Sequence, residues 1–213
     1  MPRDIDEESV ERAYARWAPV YDFVFGKVFD TGRKASIAAA EKVGGRILDV
    51  GVGTGISLPT YSRDIHVVGV DYSAVMLKKA RHRVIEQKLS NVDGLAVMDA
   101  KFLGFPDATF DAVVAQYVIT AVPDPEATLD EFARVVKPGG EIILVNHIGA
   151  ESGPRRLFEQ GFSPIARRLG WRPEFPWERL VRWTERHGGV RLVERVLMPP
   201  MGHFSLIRYV RNA

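Results

Sequence analysis

Short apolar runs recur through the middle of the chain, and each is followed by a glycine turn, an acid or a polar pair. The runs are nearly continuous rather than alternating, which is typical of strands buried on both faces of a sheet. The runs that predict strands lie within Ile47–Gly55 and at Val67–Asp71, Leu95–Met98, Phe110–Val118 and Glu141–Ile148. Stretches with helical spacing separate them, so the pattern predicts an α/β fold with a parallel sheet and helices on both faces.

Two of the intervening helices carry recognisable boundary signals. Ser73 is a good N-cap for a helix that continues to about Gln87. Pro125 opens a second helix, which extends to Val136, and the sequence KPGG at 137–140 is its stop signal.

The N-terminal segment, from Glu7 to Phe29, is rich in aromatic residues. Apolar and charged residues separate at helical spacing up to Pro19, which we expect to end or kink the helix. The part after Pro19 is strongly apolar, so it either packs on the sheet or lies in a membrane interface.

Composition narrows the class of protein. At 213 residues, with 46% apolar and 26% charged residues, the chain suits one soluble globular domain. The absence of cysteine excludes disulfides, zinc–thiolate sites and a thiol nucleophile. The acidic start is unlike a signal peptide, and no apolar run approaches the roughly 18 residues of a spanning helix, so we expect a cytoplasmic protein.

The charge is unevenly distributed along the chain. Residues 151–213 carry more basic than acidic side chains, and they contain Arg but no Lys. Because Arg binds phosphate as a planar fork, an anionic partner for this end is one interpretation, and an ordinary solvated surface is the other.

The stretch ILDVGVGTG at 47–55 predicts a ligand site. Gly51, Gly53 and Gly55 allow the backbone to turn sharply and a ligand to lie against it. A dinucleotide fingerprint would read G-x-G-x-x-G, but the sixth position here is Ile56, which argues against NAD.

The next apolar run ends at Asp71, where an acid grips the ribose in dinucleotide-type sites. D-x-G-x-G-x-G followed by an acid-ended strand resembles motif I and the ribose acid of the class I S-adenosylmethionine-dependent methyltransferases. Four further blocks stand in that family's order: VVGVDYS, VMDA, FDAVVAQYVITAV and LDEFARVVKPGGEIILV. The resemblance implies a Rossmann-like seven-stranded sheet, mostly parallel with one antiparallel strand, closed by a hairpin of Val190–Leu197 and His203–Arg211.

The resemblance also implies S-adenosylmethionine as cofactor, S-adenosylhomocysteine as its product, and no metal. Asp71 would bind the ribose and Asp99 would meet the adenine amino group. The predicted cofactor-binding residues are Asp49, Gly51, Gly53, Gly55, Asp71, Tyr72, Met76, Asp99, Ala100, Gln116 and Tyr21.

The acceptor is expected at the carboxyl ends of the fourth and fifth strands. Gln116 and Tyr117 leave the fourth strand, Asn146 and His147 leave the fifth, and all four should face the transferred methyl. His147 is the best candidate to take or relay a proton, with Tyr117 second. A supporting or phosphate-binding role for His147 is an equal alternative.

An N-terminal lid can fold over this site, since the enzymes that the chain resembles place an N-terminal helix there. Its aromatic rings, together with that of Tyr117, would stabilise a sulfonium or an ammonium. The predicted catalytic residues are His147, Tyr117, Tyr21 and Tyr14, and the predicted acceptor contacts are Tyr14, Trp17, Tyr117, Asn146, His147, Arg155 and Arg156.

Arg155 and Arg156 would suit a phosphate next to an amine, and a phosphate, an amine and an apolar body together indicate phosphatidylethanolamine. Pro154–Trp171 predicts a basic amphipathic helix of the kind that lies on anionic membranes. YARWAPVYDFVFG, NHIGAESGPRR and MPPMGHFSLIRY resemble the soluble bacterial phosphatidylethanolamine N-methyltransferases, which implies stepwise methylation to phosphatidylcholine at the membrane surface.

We expect a single domain over residues 1–213. It comprises lid or membrane helices at 1–35, a cofactor-binding core at 45–150, an Arg-rich amphipathic insertion at 151–189 and the closing hairpin at 190–213. We also expect a monomer with a phospholipid substrate, associated peripherally with the inner face of an anionic membrane. A nucleic-acid partner is not expected, because QYVI stands where an N-P-P-Y type motif would follow the fourth strand.

Two alternatives stay open. The N-terminal tyrosine block is also similar to that of the ubiquinone and menaquinone C-methyltransferases, which favours a quinone precursor or another small molecule as acceptor. A non-catalytic module that binds S-adenosylmethionine or lipid would keep the glycine turn and lose the acceptor pocket.

Overall fold

The structure, a computed structural model, describes residues 26–149, 175–199 and 202–213, with side chains from residue 29 onward, and contains four α-helices and seven strands within these residues. The helices are α1 (Gly26–Val43), α2 (Ala74–Glu86), α3 (Pro125–Val135) and α4 (Trp177–His187), with a 3-10 turn at Leu58–Thr60. The strands are β1 (Arg46–Val50), β2 (His66–Asp71), β3 (Val92–Val97), β4 (Phe110–Gln116), β5 (Val136–His147), β6 (Val190–Met198) and β7 (Phe204–Arg211).

The strands form one sheet in the order β3-β2-β1-β4-β5-β7-β6. Neighbours from β3 to β5 are parallel, whereas β7 is antiparallel to both β5 and β6. The predicted fold, including the single antiparallel strand, is therefore confirmed. The chain order reverses between β1 and β4, and a ligand crevice is expected at the carboxyl ends of these two strands.

The sheet is covered on both faces, as the nearly continuous apolar runs predicted. Ile47 of β1 packs in a core with Ile37 of α1 and Leu77 of α2. The next residue, Leu48, packs in a second core with Phe132 of α3 and Trp183 of α4. Alternate side chains thus enter opposite cores, and we refer below to the α1 face and the α4 face of the sheet.

The predicted boundaries of α2 and α3 are confirmed to within a residue or two. Ser73 caps α2 by accepting a hydrogen bond from the N–H of Met76 at 3.4 Å. Asp124, which the sequence analysis did not single out, caps α3 by accepting from the N–H of Ala127 at 3.1 Å. Pro125 follows at the first helical position.

The KPGG sequence ends α3 as predicted, but β5 begins earlier than predicted. Val136 already pairs with Phe110, and the register then jumps to Glu141 opposite Ala112. Residues 137–140 therefore form a bulge in the strand, in which Gly139 has a φ of +79°.

Two of the observed helices were not predicted over their full length. Helix α1 continues the apolar segment around Phe29 as far as Val43, across the boundary expected at residue 35. Helix α4 lies within the segment 151–189 and buries Leu180 and Trp183.

None of the described helices combines the length and apolarity needed to cross a membrane. The predicted helices before Pro19 and at Pro154–Trp171 lie outside the described residues.

Candidate functional site

The glycine turn after β1 depends on backbone angles that other residues rarely adopt. The φ angles of Gly51, Gly53 and Gly55 are +70°, +56° and +72°. A side chain at Gly51 would collide with Val118. A Cβ on Gly53 would instead be 3.9 Å from its nearest neighbour, so a ligand can lie close to the backbone at that point.

The backbone N–H groups of the three glycines are all engaged within the protein. Gly51 donates to the carbonyl oxygen of Val70 at 2.8 Å, and Gly55 donates to that of Val52 at 2.9 Å. Gly53 donates to a side-chain oxygen of Asp71 at 2.8 Å. A phosphate cradle needs such donors to be free, so the turn suits a nucleoside that carries no phosphate.

Asp71, at the end of β2, joins the glycine turn to the start of α2. Its Oδ2 accepts from Gly53, and its Oδ1 accepts from the N–H of Ser73 at 2.8 Å. Burial raises the pKa of this carboxyl above its usual value, and the two backbone N–H groups oppose that rise. Each carboxylate oxygen has a second lone pair, so Asp71 can still accept from both hydroxyls of a ribose.

Asp49 is almost completely buried, and Tyr61 donates its hydroxyl to Oδ2 of Asp49 at 3.2 Å. The pKa of Asp49 is raised to about 7, because burial, opposed by the hydrogen bond from Tyr61 and assisted by the charge of Asp71, disfavours the ionised carboxylate. Burial and the neighbouring Asp49 also raise the pKa of the Tyr61 phenol. Tyr61 was missed in the sequence analysis because it belongs to no motif.

The other predicted cofactor residues lie along the carboxyl ends of β2 and β3. Tyr72 is half exposed, whereas Met76 is buried in the first turn of α2. The N–H of Met98 donates to the carbonyl oxygen of Asp71 at 3.0 Å, which brings Asp99 and Ala100 next to β2. Oδ1 of Asp99 accepts from the N–H of Lys101 at 3.0 Å.

Gln116 lies in a chain of hydrogen bonds between the segment after the glycine turn and α1. Ser57 donates its hydroxyl to Oε1 of Gln116 at 2.6 Å, and Nε2 of Gln116 donates to the hydroxyl oxygen of Ser36 at 3.0 Å. Ser36 in turn donates to the carbonyl oxygen of Arg33 at 2.9 Å. Both serines are buried. Neither serine belongs to a sequence motif, and only the position of Ser57 just after the glycine turn offered a signal.

Tyr117 lies against the beginning of α1 with an unusual backbone conformation. Its φ is +63°, a region that costs a non-glycine residue roughly 1–3 kcal/mol and that clusters at functional sites. Its hydroxyl donates to the carbonyl oxygen of Phe29 at 3.0 Å, and the two rings lie 4.3 Å apart. The phenol is therefore held in place, and its oxygen can accept a hydrogen bond from a ligand.

His147 lies near Tyr117 on the α1 face, and Phe204 of β7 contacts both rings. The centroid of Phe204 is 5.5 Å from that of Tyr117 and 6.1 Å from that of His147. The ring of His203 stacks on that of His147, with 6.0 Å between the ring centroids and 22° between the planes. The sequence could not reveal this cluster, since β7 enters the site only through its antiparallel pairing with β5.

Asn146 lies on the other face of the sheet from His147, because adjacent strand residues point in opposite directions. It pairs across the strands with the buried Ser205. Asn146 is only 1% exposed, and its Oδ1 and Nδ2 atoms have no hydrogen-bond partner among the described residues. The structure thus brings Gln116, Tyr117 and His147 together on the α1 face and separates Asn146 from them.

Five predicted site residues lie outside the described residues: Tyr14, Trp17, Tyr21, Arg155 and Arg156. Among the residues that are described, no group of three or more His, Cys, Asp or Glu side chains could hold a metal ion.

Comparison with known proteins identifies the family. Residues 48–144 match the family model described as a methyltransferase domain. The chain is 43% identical over 205 residues to phosphatidylethanolamine N-methyltransferase of Cereibacter sphaeroides, with 96% of this chain and 98% of that protein covered. The chain belongs to the class I S-adenosylmethionine-dependent methyltransferases.

This methyltransferase is also 32% identical to the ubiquinone/menaquinone biosynthesis C-methyltransferase UbiE of Geobacter sulfurreducens, over 73% of the chain and 63% of that relative. Among solved structures, it is similar in fold to phosphoethanolamine N-methyltransferase 2 of Haemonchus contortus. The TM-score is 0.73 at 18% identity, and the match covers 96% of this chain and 60% of that one.

The glycine turn and Asp71 fit the cofactor of the family, S-adenosylmethionine. Its adenosine half offers ribose hydroxyls to the free lone pairs of Asp71, and it carries no phosphate that would need the engaged N–H groups of the turn. The open backbone at Gly53 leaves room for the ligand to lie close.

Proposed function

We propose that this methyltransferase transfers methyl groups to the nitrogen of phosphatidylethanolamine, and of its mono- and dimethyl forms, towards phosphatidylcholine. The observation that carries the proposal is the 43% identity to the Cereibacter enzyme over 96% of the chain. A match of that extent includes the acceptor side of the fold and the end segments, as well as the cofactor core at 48–144 that many methyltransferases share.

S-adenosylmethionine would supply an electrophilic methyl group: the amine nitrogen would bond to the methyl carbon in line as the carbon–sulfur bond breaks and S-adenosylhomocysteine leaves. The protein aligns donor and acceptor. We assign Asp71 to the ribose, Tyr72, Met76, Asp99 and Ala100 to the adenine, and Gly51, Gly53 and Gly55 to the close approach of the ligand. Asp49 and Gln116 hold the carboxyl ends of β1 and β4 through their hydrogen bonds to Tyr61 and to the two serines.

Each methyl transfer to an ammonium requires the loss of one proton before the nitrogen can attack. We assign this proton to His147, whose ring lies at the carboxyl end of β5, on the α1 face with Tyr117. Tyr117 has a different task. Because its own proton is donated to Phe29, its oxygen accepts from the amine and its ring stabilises the cationic product.

The acceptor's phosphate is assigned to Arg155 and Arg156, and the aromatic lid to Tyr14, Trp17 and Tyr21, all on the basis of the sequence. The basic segment Pro154–Trp171 supports peripheral association with an anionic membrane on its inner, cytoplasmic face. Asn146, which is buried on the opposite face of the sheet from His147, is not assigned to the acceptor.

A second candidate is methylation of a quinone precursor, which the 32% identity to UbiE favours. That match covers less of both chains than the match to the Cereibacter enzyme does. The two candidates share the cofactor side and differ in the acceptor.

The test is a mass-spectrometric assay of the purified protein with isotope-labelled S-adenosylmethionine and liposomes that contain phosphatidylethanolamine. We expect the lipid mass to rise in methyl steps. Binding of S-adenosylmethionine without any lipid product would contradict the proposal, and a demethylmenaquinone substrate in the same assay would then test the second candidate.

A further inference from the structure

Three of the most exposed apolar side chains lie together at one end of the sheet. Val75, Val97 and Phe102 are 60%, 57% and 71% exposed. Val97 ends β3 and pairs with Asp71 at the end of β2, while Val75 lies in the first turn of α2, just after β2. Phe102 lies in the turn after β3, which the hydrogen bond from its N–H to the carbonyl oxygen of Asp99 closes at 3.0 Å.

Three lysines accompany these apolar residues. Lys78 and Lys79 are exposed one turn along α2 from Val75. The ammonium of Lys101 lies 5.4 Å from the centroid of the Phe102 ring. We call the six residues the rim patch: Val75, Lys78, Lys79, Val97, Lys101 and Phe102.

The positive charge of the rim patch is not offset by ion pairs with other described residues. Within the described part of the chain, none of its three lysines has a carboxylate in ion-pair contact. The neighbouring Asp71 and Asp99 direct carboxylate oxygens at backbone N–H groups. Exposed apolar and aromatic side chains beside exposed lysines match the chemistry of an anionic lipid surface, with acyl chains below and negative headgroups above.

We propose that the rim patch docks the enzyme on an anionic lipid surface. The inference rests on the proposed function, because a lipid acceptor must reach the carboxyl ends of the strands and the patch lies along that same edge. Docking there holds the mouth of the site against the bilayer, so a headgroup enters without the lipid leaving the membrane.

The test compares binding to two kinds of vesicle. One contains phosphatidylethanolamine with phosphatidylglycerol, which is anionic, and the other contains phosphatidylethanolamine with phosphatidylcholine, which is neutral. We expect the full-length protein to cosediment with the anionic vesicles and to be released by salt. Phe102→Ser should weaken that binding about tenfold, and Lys78→Gln with Lys79→Gln should weaken it by about fivefold per lysine.

Ile85→Ser is the matched control, since Ile85 is 66% exposed at the far end of α2, away from the carboxyl edge. It should leave vesicle binding unchanged. All variants should keep the wild-type affinity for S-adenosylmethionine, measured by calorimetry, and the wild-type rate with a short-chain phosphatidylethanolamine below its micelle concentration.

Three outcomes would overturn the inference. The wild-type protein does not bind anionic vesicles, Ile85→Ser weakens vesicle binding as much as Phe102→Ser does, or Phe102→Ser binds anionic vesicles as the wild type does. Lost affinity for S-adenosylmethionine in Phe102→Ser would assign the patch to the cofactor instead. Patch-dependent vesicle binding without any methylated lipid would uphold the docking surface and refute the proposed function.

Discussion

The two halves of the candidate site are built in different ways. On the cofactor side, Asp71 accepts hydrogen bonds from the N–H groups of Gly53 and Ser73, and the N–H groups of Gly51, Gly53 and Gly55 are all engaged. On the acceptor side, Phe29, Tyr117, His147 and Phe204 come from four distant parts of the chain. The first half is organised before any ligand binds, whereas the second depends on tertiary packing. A nucleoside site can therefore be shared across a family while acceptor sites diverge.

The largest effect on ligand binding is expected from Gly51→Ala, which alters the glycine turn on the cofactor side. The substitution adds a Cβ at a φ of +70° and forces it against Val118. We expect affinity for S-adenosylmethionine to fall by at least about a hundredfold in calorimetry. Gly139→Ala is the matched control, because Gly139 has a φ of +79° but nothing within 4 Å of its would-be Cβ. It should lose about 1 kcal/mol of stability and keep its affinity. Equal losses of affinity for S-adenosylmethionine in both variants would show that the glycine turn is not specifically required for cofactor binding.

His147→Gln tests whether the acceptor side acts separately from the cofactor side. Without the imidazole we expect kcat on phosphatidylethanolamine to fall about a hundredfold, with unchanged affinity for S-adenosylmethionine. His66→Gln is the control, because His66 is exposed at the start of β2 and contacts Asp93. A variant at His147 with full activity across the pH range would remove the proton-accepting role and leave a supporting one.

Asp49→Asn probes the cost of burying charge on the cofactor side. A carboxyl whose folded pKa of about 7 lies above its unfolded value of 3.8 binds more protons in the folded state between those values. Its stabilising contribution is complete below the unfolded pKa and is lost as pH rises through about 7. We expect Asp49→Asn to resemble the wild type at pH 4 and to be about 4 kcal/mol more stable at pH 8. Parallel stability curves from chemical denaturation would contradict the raised pKa.

The smallest effect is expected from Asn146→Leu on the acceptor side. The buried amide has no partner among the described residues, so an apolar side chain of similar size should raise stability by about 1 kcal/mol. Because Asn146 is not assigned to the acceptor, the KM for phosphatidylethanolamine and that for S-adenosylmethionine should both stay constant in the same variant. A raised KM for phosphatidylethanolamine alone would return Asn146 to the acceptor site.

What the sequence could predict follows the same division. The glycine turn, Asp71 and the Ser73 cap are local patterns whose geometry is set by nearby residues, so their places were predictable. Tyr61 and Ser36 were not, because only the folded chain brings them to Asp49 and Gln116.

The position of Asn146, unlike those of Tyr61 and Ser36, was predictable from the sequence. Its separation from His147 follows from strand alternation alone and could have been predicted.

The apolar stripe of helix α4 could not be predicted. It is confined to eleven residues between Pro176 and Gly188, which is too short for periodicity to stand out against the surrounding Arg-rich sequence.

The engaged N–H groups of the three glycines affect how well other adenosine compounds can compete with S-adenosylmethionine for the site. ATP presents the same nucleoside, but its phosphates would lose water near the turn, where the N–H groups of Gly51, Gly53 and Gly55 already have acceptors. The carboxylate of Asp71 would also repel the phosphates. We therefore expect ATP to compete poorly with S-adenosylmethionine, so that methylation depends on the supply of the methyl donor.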